Sequence, residues 1–263
     1  MRTPIFLLLL VSASILSSCN KDSNDGPPTP TFDAYAIGNG NNLVSFNLSN
    51  PSAATSKAIT GLQVNEVILA IDIRPANNEL YALGSSNRIY KLNKSTAEAT
   101  AIPNMPFTPV LYGMAFGMDF DAVADRLRIV SNADQNLRIN PETGVSITDV
   151  SITPAWATIT GIAYTNNFAG ATSSKLYDID PVNDELYWQR SASGGVLEGI
   201  GPLGIDVEQN SGFDISGKDN KAYALLSRES ITKLYIINLE NGTATLLADF
   251  PYVATGLALA LNL

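Results

Sequence analysis

The sequence predicts an all-β protein, a β-propeller of five four-stranded blades, and three observations carry that prediction. A short apolar segment, often led by Gly, recurs five times along the chain. Four of the copies are followed by a polar turn and two further alternating strands, with no convincing helical period anywhere. The two ends of the repeating region are complementary fragments of one repeat. Strands of about five residues, four to a unit of 40–50 residues, are the pattern of a propeller blade.

The chain opens with Arg2, an unbroken apolar run from Ile5 to Val11, and small residues to Leu16. That run is shorter than the ~20 apolar residues needed to cross a bilayer as a helix. A charged start, a short apolar stretch and small residues before a cut describe a secretory signal peptide over residues 1–18. Leu16-Ser17-Ser18-Cys19 resembles a bacterial lipobox, in which small side chains admit the peptidase and the thiol takes the lipid. Lipidation of Cys19 is therefore expected. The expected location is the bacterial cell envelope, as an outer-membrane lipoprotein that can face the cell surface, held to the membrane through its lipid alone. Residues 19–31 contain nothing that builds a core, and Pro27, Pro28 and Pro30 stiffen them into a tether. Asp22 and Asp25 give weak support for a surface-export signal.

The five first strands are Leu69–Ile73, Phe116–Phe120, Thr160–Tyr164, Ser211–Ile215 and Thr255–Leu259. Second strands follow at Glu79–Leu83, Asp125–Val130, Lys175–Ile179 and Lys221–Leu225, and third strands at Arg88–Leu92, Asn136–Ile139, Glu185–Trp188 and Lys233–Ile237. Turn residues such as Asn140–Gly144 and Asn241-Gly242 then lead into a weaker fourth strand. Thr31–Ile37 matches a second strand and Asn42–Leu48 a third, so the chain enters the domain in mid-blade. The final first strand completes that blade and closes the ring, which removes an open sheet edge. Residues 32–263 number 232, about 46 for each of five blades. A β-sandwich or distorted barrel would also use such strands, but neither needs complementary ends.

Composition excludes several chemistries. The chain has 16 Lys and Arg against 25 Asp and Glu, a net charge of −9, and no His. Loss of residues 1–18 would remove Arg2 and no acid, leaving −10. Nucleic acid is not an expected partner, because its binding rests on basic patches. Without His there is no Ser-His-Asp triad and no His-ligated zinc. Cys19 is the sole cysteine, so there is no disulfide and no cysteine metal site. Carboxylates, Tyr, Lys or a cation held by oxygen remain. A monomer is expected.

Further strings stand out: Asp119-Phe120-Asp121, Asp125–Ser131, Gln135–Gly144, Ala163–Asn167, Leu176–Asp180 and Gly201–Gly204. Together they resemble a family of secreted bacterial proteins, domain-of-unknown-function family 4394. The resemblance spans residues 32–263. It implies a propeller-like fold and brings no activity with it.

Four places could carry chemistry. Asp72, Asp119 and Asp214 occupy one position of the repeat, interrupted by Ala163 and Ala258. Gathered round an axis, they could bind a ligand, hold Ca²⁺, or serve, through Asp119 and Asp214, as the acid and base of a glycan-cleaving enzyme. Each Asp could equally bond backbone of its own blade. Arg126, Arg128, Asn136 and Arg138 should share one polar face of a hairpin, where guanidiniums suit an anionic small molecule or acidic glycan. An ion-pair network with Asp119, Asp121, Asp125 and Asp134 is the alternative. Asp178, Asp180 and Asp184 are dense enough for a Ca²⁺ loop, yet their spacing also fits an ordinary turn. The recurring tyrosines read as packing between blades, whereas Trp156 falls in a link, breaks the repeat and could stack on a sugar. A non-catalytic binding domain is the favoured reading, and a carboxylate- or Ca²⁺-dependent enzyme acting on glycans the alternative.

Overall fold

The computed structural model describes residues 31–262 apart from Asn104, Gln209 and Asn210. The expected signal peptide, Cys19 and nearly all of the expected tether lie outside the described residues. Phe32–Leu263 is one compact unit.

Five four-stranded antiparallel sheets form the ring. Blade 1 combines β1 (Ala34–Gly38), β2 (Asn42–Asn47) and β3 (Asn50–Ala58) with the last strand of the chain, β20 (Ala254–Leu259), in the order β20-β1-β2-β3. Blade 2 is β4 (Ile68–Arg74), β5 (Glu79–Gly84), β6 (Arg88–Leu92) and β7 (Ala99–Ala101). Blade 3 is β8 (Phe116–Asp121), β9 (Arg126–Ser131), β10 (Asn136–Ile139) and β11 (Ser146–Thr148). Blade 4 is β12 (Gly161–Tyr164), β13 (Leu176–Asp180), β14 (Glu185–Ser191) and β15 (Val196–Pro202). Blade 5 is β16 (Ser211–Ile215), β17 (Ala222–Arg228), β18 (Ile231–Ile237) and β19 (Ala244–Asp249). The ring closes as its complementary ends predict: Tyr35 of β1 faces Ala258 of β20 in an antiparallel ladder.

Turn chemistry sets the registers. In three blades the turn into the fourth strand opens on an Asn, and the side chains of Asn93, Asn140 and Asn238 accept from amides two or three residues on. The turn into the second strand ends on Asn78, Asp125 or Asn220, all left-handed, a conformation these side chains tolerate.

The inner strands β4, β8, β12, β16 and β20 pack side by side around the axis. Their approach demands glycine. A Cβ on Gly117 would lie 2.8 Å from the Ile162 nitrogen, and one on Gly212 would lie 2.4 Å from the Gly256 carbonyl carbon. Strand alternation then sorts the side chains between neighbouring blades. Met118, Ile129 and Leu137 face blade 2, packing with Tyr81, Leu83 and Ile89. Val130 faces blade 4, packing with Ile162, Tyr164, Leu176 and Tyr187. Each fully buried large apolar side chain contributes roughly 1.5–3 kcal/mol before chain entropy is counted. The recurring tyrosines serve this packing: Tyr81 and Tyr90 are fully enclosed, and Tyr177 and Tyr187 nearly so.

Candidate functional site

Equivalent positions on β4, β8 and β16 bring Asp72, Asp119 and Asp214 together at the axis. One oxygen from each lies within 4.8 Å of the others, and none of the three residues is more than 1% exposed. Asp72 accepts from its neighbour Ile73 (2.7 Å) and, across the blade boundary, from Phe120 (2.8 Å). Asp214 repeats the motif with Ile215 and Leu259, both at 2.6 Å. These carboxylates therefore staple one blade to the next rather than bonding within their own blade alone. Asp119 breaks the pattern. The Tyr164 amide is near enough to favour its charge, but neither Asp119 oxygen completes a hydrogen bond.

Desolvation, chiefly, pushes all three carboxyls up. Asp72 and Asp119 rise well above the ordinary carboxylate range, with repulsion from their acidic neighbours adding to burial. Asp214 is raised to about 7 by burial, which hydrogen bonds from Leu259, Ile215 and Asn167 oppose. Asn167 comes from the loop between β12 and β13. It is 2% exposed, its side-chain amide bonds Asp214, and its own Oδ1 has no donor. Beside the triad the channel narrows to about 10 Å³ between Gly117, Gly161, Gly212, Gly256 and their neighbours, at the lower limit for one water. Asp119 and Asp214 are themselves only 1% and 0% exposed.

The arginine face exists, and Arg128 at its centre lies inside the protein, while Arg126 and Arg138 are partly exposed. The register places Asp119 opposite Arg128, and Arg128 opposite Arg138. That face turns toward blade 4, and Arg128, 2% exposed, is the largest fully buried side chain among the described residues. Its Nε donates to the Tyr164 hydroxyl at 2.7 Å, and Nη1 donates to Asn136 Oδ1 and to Asp149 Oδ2 at 3.1 Å. Arg138 grips the same Asp149 with two bonds, of 2.6 and 2.8 Å. Asn136 spends its amide on the Val150 and Ala192 carbonyls. Arg126 is half-buried and bonds only the Ala124 and Asp125 carbonyls. The structure thus gives Arg128 and Asn136 internal partners, while Arg138, bound to Asp149 through Nε and Nη2, keeps a side chain about 32% exposed. The ion-pair alternative holds, with a different acid. Asp149 stands in the link after blade 3, and Asp125 pairs instead with Arg74, at 2.8 and 2.5 Å.

Among the described residues, Asp178, Asp180 and Asp184 do not gather into one cluster. Asp178 is fully buried with no partner for either oxygen. Burial pushes its carboxyl well up, and the charge of Arg128 opposes this. Asp180 caps its own turn through Val182 and Asn183 and also accepts from Thr158, while Asp184 accepts from Val207. Their pleat and turn positions send the three carboxylates to different partners. Trp156 is 61% exposed, with its edge packed against Tyr187 at 6.3 Å between ring centres.

The family model described as Domain of unknown function (DUF4394) matches residues 42–260. The chain belongs to the DUF4394 family. No curated protein sequence matches it significantly. Among solved structures, a protein of unknown function from Bacteroides thetaiotaomicron aligns with a TM-score of 0.54 at 14% identity, over 86% of this chain and 64% of that one. A nidogen/laminin complex aligns with a TM-score of 0.45 at 16% identity, over 65% and 61%. YCF48 from Cyanidioschyzon merolae gives 0.44 at 10%, over 82% and 70%. The DUF4394 chain spans less than two thirds of the first two, and at these identities the likeness concerns the fold.

Two features of this DUF4394 domain are given no role in the sequence reading. Asn167 and Asp149 both lie outside the strands, so the repeat gives no position for them. The available signal is indirect: blade 4, whose inner strand carries Ala163 in place of Asp, also has the longest first loop. The other feature is the link from blade 2 to blade 3. Val110, Tyr112 and Met114 are 60, 70 and 87% exposed, while the backbone between them is fastened by side chains. Asn87 Oδ1 accepts from Leu111, Gln135 Oε1 from Tyr112, and Asn132 Oδ1 from Met114. Gln135 also donates to the Val110 carbonyl at 2.9 Å.

Proposed function

We propose that this protein is a lipid-anchored, non-catalytic binding domain of the bacterial cell envelope, and that it holds its partner through the link Val110–Met114. The observation that carries this reading is the stapled link. Three large apolar side chains are presented to solvent from a backbone whose polar groups are tied down by Asn87, Asn132 and Gln135. Exposed apolar groups on a pre-ordered backbone lose little entropy on binding, which favours contact with an apolar surface of a partner. The lipobox at Cys19 supplies the anchor, and the Pro-containing tether gives the ring reach. The internal partners of Arg128 weigh against an anionic ligand at that side chain, and the burial of the axial carboxylates weighs against glycan hydrolysis.

A photo-crosslinking residue placed at position 112 or 114 in cells should form a discrete adduct. The same residue at Lys57 or Lys218, exposed positions away from the link, should not. Adducts of equal yield at all four positions, or none at the link, would sink the proposal. Fatty-acid labelling that is unchanged in Cys19→Ser would overturn the anchor.

A further inference from the structure

We infer that the axial cluster of Asp72, Asp119 and Asp214, completed by Asn167, is a structural calcium site that locks the ring. This goes beyond the binding role proposed above and does not depend on it.

Three buried carboxylates at one point repel each other, and Arg128, opposite Asp119 in the ladder, is engaged with Asp149, Asn136 and Tyr164. Backbone amides stabilise the charged forms of Asp72 and Asp214. Asp119 has two buried oxygens, neither of which completes a hydrogen bond, although the Tyr164 amide lies close. An acidic cluster alone would not identify a ligand. The second observation is Asn167, an uncharged side chain from a different element. It is held against Asp214, almost fully buried, and its carbonyl oxygen has no donor. Its loop is held in place from blade 5: the Asn166 amide donates to Asn220 at 2.8 Å, and the Asn220 side chain returns a bond at 3.0 Å. A buried carbonyl oxygen without a donor costs roughly 1–3 kcal/mol, which a cation would recover.

The ligand set selects the ion. Carboxylate and amide oxygens without nitrogen or sulfur are the donors of hard cations. Opposite ligands of a Ca²⁺ sphere, with bonds of ~2.3–2.6 Å, stand about 4.6–5.2 Å apart, whereas Mg²⁺ draws them to about 4.0–4.2 Å. The triad oxygens lie within 4.8 Å of one another, a spacing that a Ca²⁺ sphere accommodates. Because the three acids and Asn167 come from blades 2, 3, 5 and 4, one ion would tie four blades together. The narrow channel implies capture during folding and slow exchange afterwards.

The test is refolding of the purified chain, residues 20–263, in EGTA or in Ca²⁺, followed by gel filtration, metal analysis by mass spectrometry and thermal melting. The expected result is close to one Ca²⁺ per chain after refolding with Ca²⁺, and a melting temperature higher than that of the EGTA-refolded protein by about 5 °C or more. Asp119→Asn, nearly isosteric, should lose both the bound ion and the shift, and Asn167→Ala should weaken both. Metal below about 0.1 per chain with identical melts would overturn the site. So would Asp119→Asn proving more stable than the wild type in Ca²⁺, because the cluster would then be relieved by protonation rather than by an ion. Equal stabilisation by Mg²⁺ would overturn the choice of calcium. The wild-type measurement stands even if a variant fails to fold.

Discussion

Replacing Arg128 with Ala should cripple the fold, and the size of the effect follows from its surroundings. The guanidinium is 2% exposed and joins Tyr164, Asn136 and Asp149, whose side chain is 5% exposed. Removing one member of a buried ion pair costs about 3–5 kcal/mol, because the partner keeps its desolvation penalty. Here Arg138 still neutralises Asp149, which eases the loss. Against that, Asp178 loses the positive charge that favours its ionised form, and the largest fully buried side chain among the described residues leaves a cavity. A total of about 3–5 kcal/mol is therefore reasonable. For a domain of this size each kcal/mol moves the melting temperature by about 2–4 °C, so Arg128→Ala should melt roughly 6–20 °C below the wild type. Arg128→Met, which keeps the volume and removes the charge, should lose less. Arg126→Ala, on the same strand face but bonded only to nearby carbonyls, should cost under about 1 kcal/mol. Circular-dichroism melts and urea titrations of the three variants are sufficient. An Arg128→Ala protein melting within about 2 °C of the wild type would refute the reasoning and return the arginines to the role of ligand-binding groups.

Other expectations are equally specific. Burial raises the Asp178 carboxyl, so the native state holds its proton to higher pH than the unfolded chain does. The wild type should therefore lose stability relative to Asp178→Asn as pH rises above about 4, and paired urea titrations at about pH 5 and 8 that show no widening gap would contradict this. Gly212→Ala forces a Cβ to within 2.4 Å of backbone in β20, and should cost at least about 1–3 kcal/mol in chemical denaturation, whereas an unchanged midpoint would mean the inner strands sit farther apart than described. Truncation before Ala254 removes β20 and bares the edge of β1. The shortened chain should lose its cooperative melt and aggregate, and a soluble, cooperatively folding product would show that ring closure is dispensable.

The blades are legible in the repeat because each strand pattern is local: alternation, an Asn-led turn and a glycine where backbones meet can be read within a dozen residues. Asp72, Asp119 and Asp214 are legible for the same reason, since equal positions in a closed ring must converge. The role of Arg128 is not. Its polar face follows correctly from alternation, but alternation cannot say whether a face meets water or the next blade. Asp149 and Asn167 are invisible to the repeat, because a residue outside the strands takes its place from the path of a link or loop. That path is set by the packing of the blades it joins.

The periodic part of this protein is thus written in the chain: all-β class, five blades, ring closure through β20, and the meeting of three aspartates at the axis. These follow from the two-residue period of a strand and the symmetry of a repeat. Which polar groups are sealed, and what they hold, is settled by packing between blades. Packing buries Arg128 and ties it with Arg138 into one ion network on Asp149. It leaves Asp119 and the Asn167 carbonyl without donors, and it keeps Val110, Tyr112 and Met114 in solvent. Each of these outcomes depends on the distance to a neighbouring blade, a quantity that no single strand encodes.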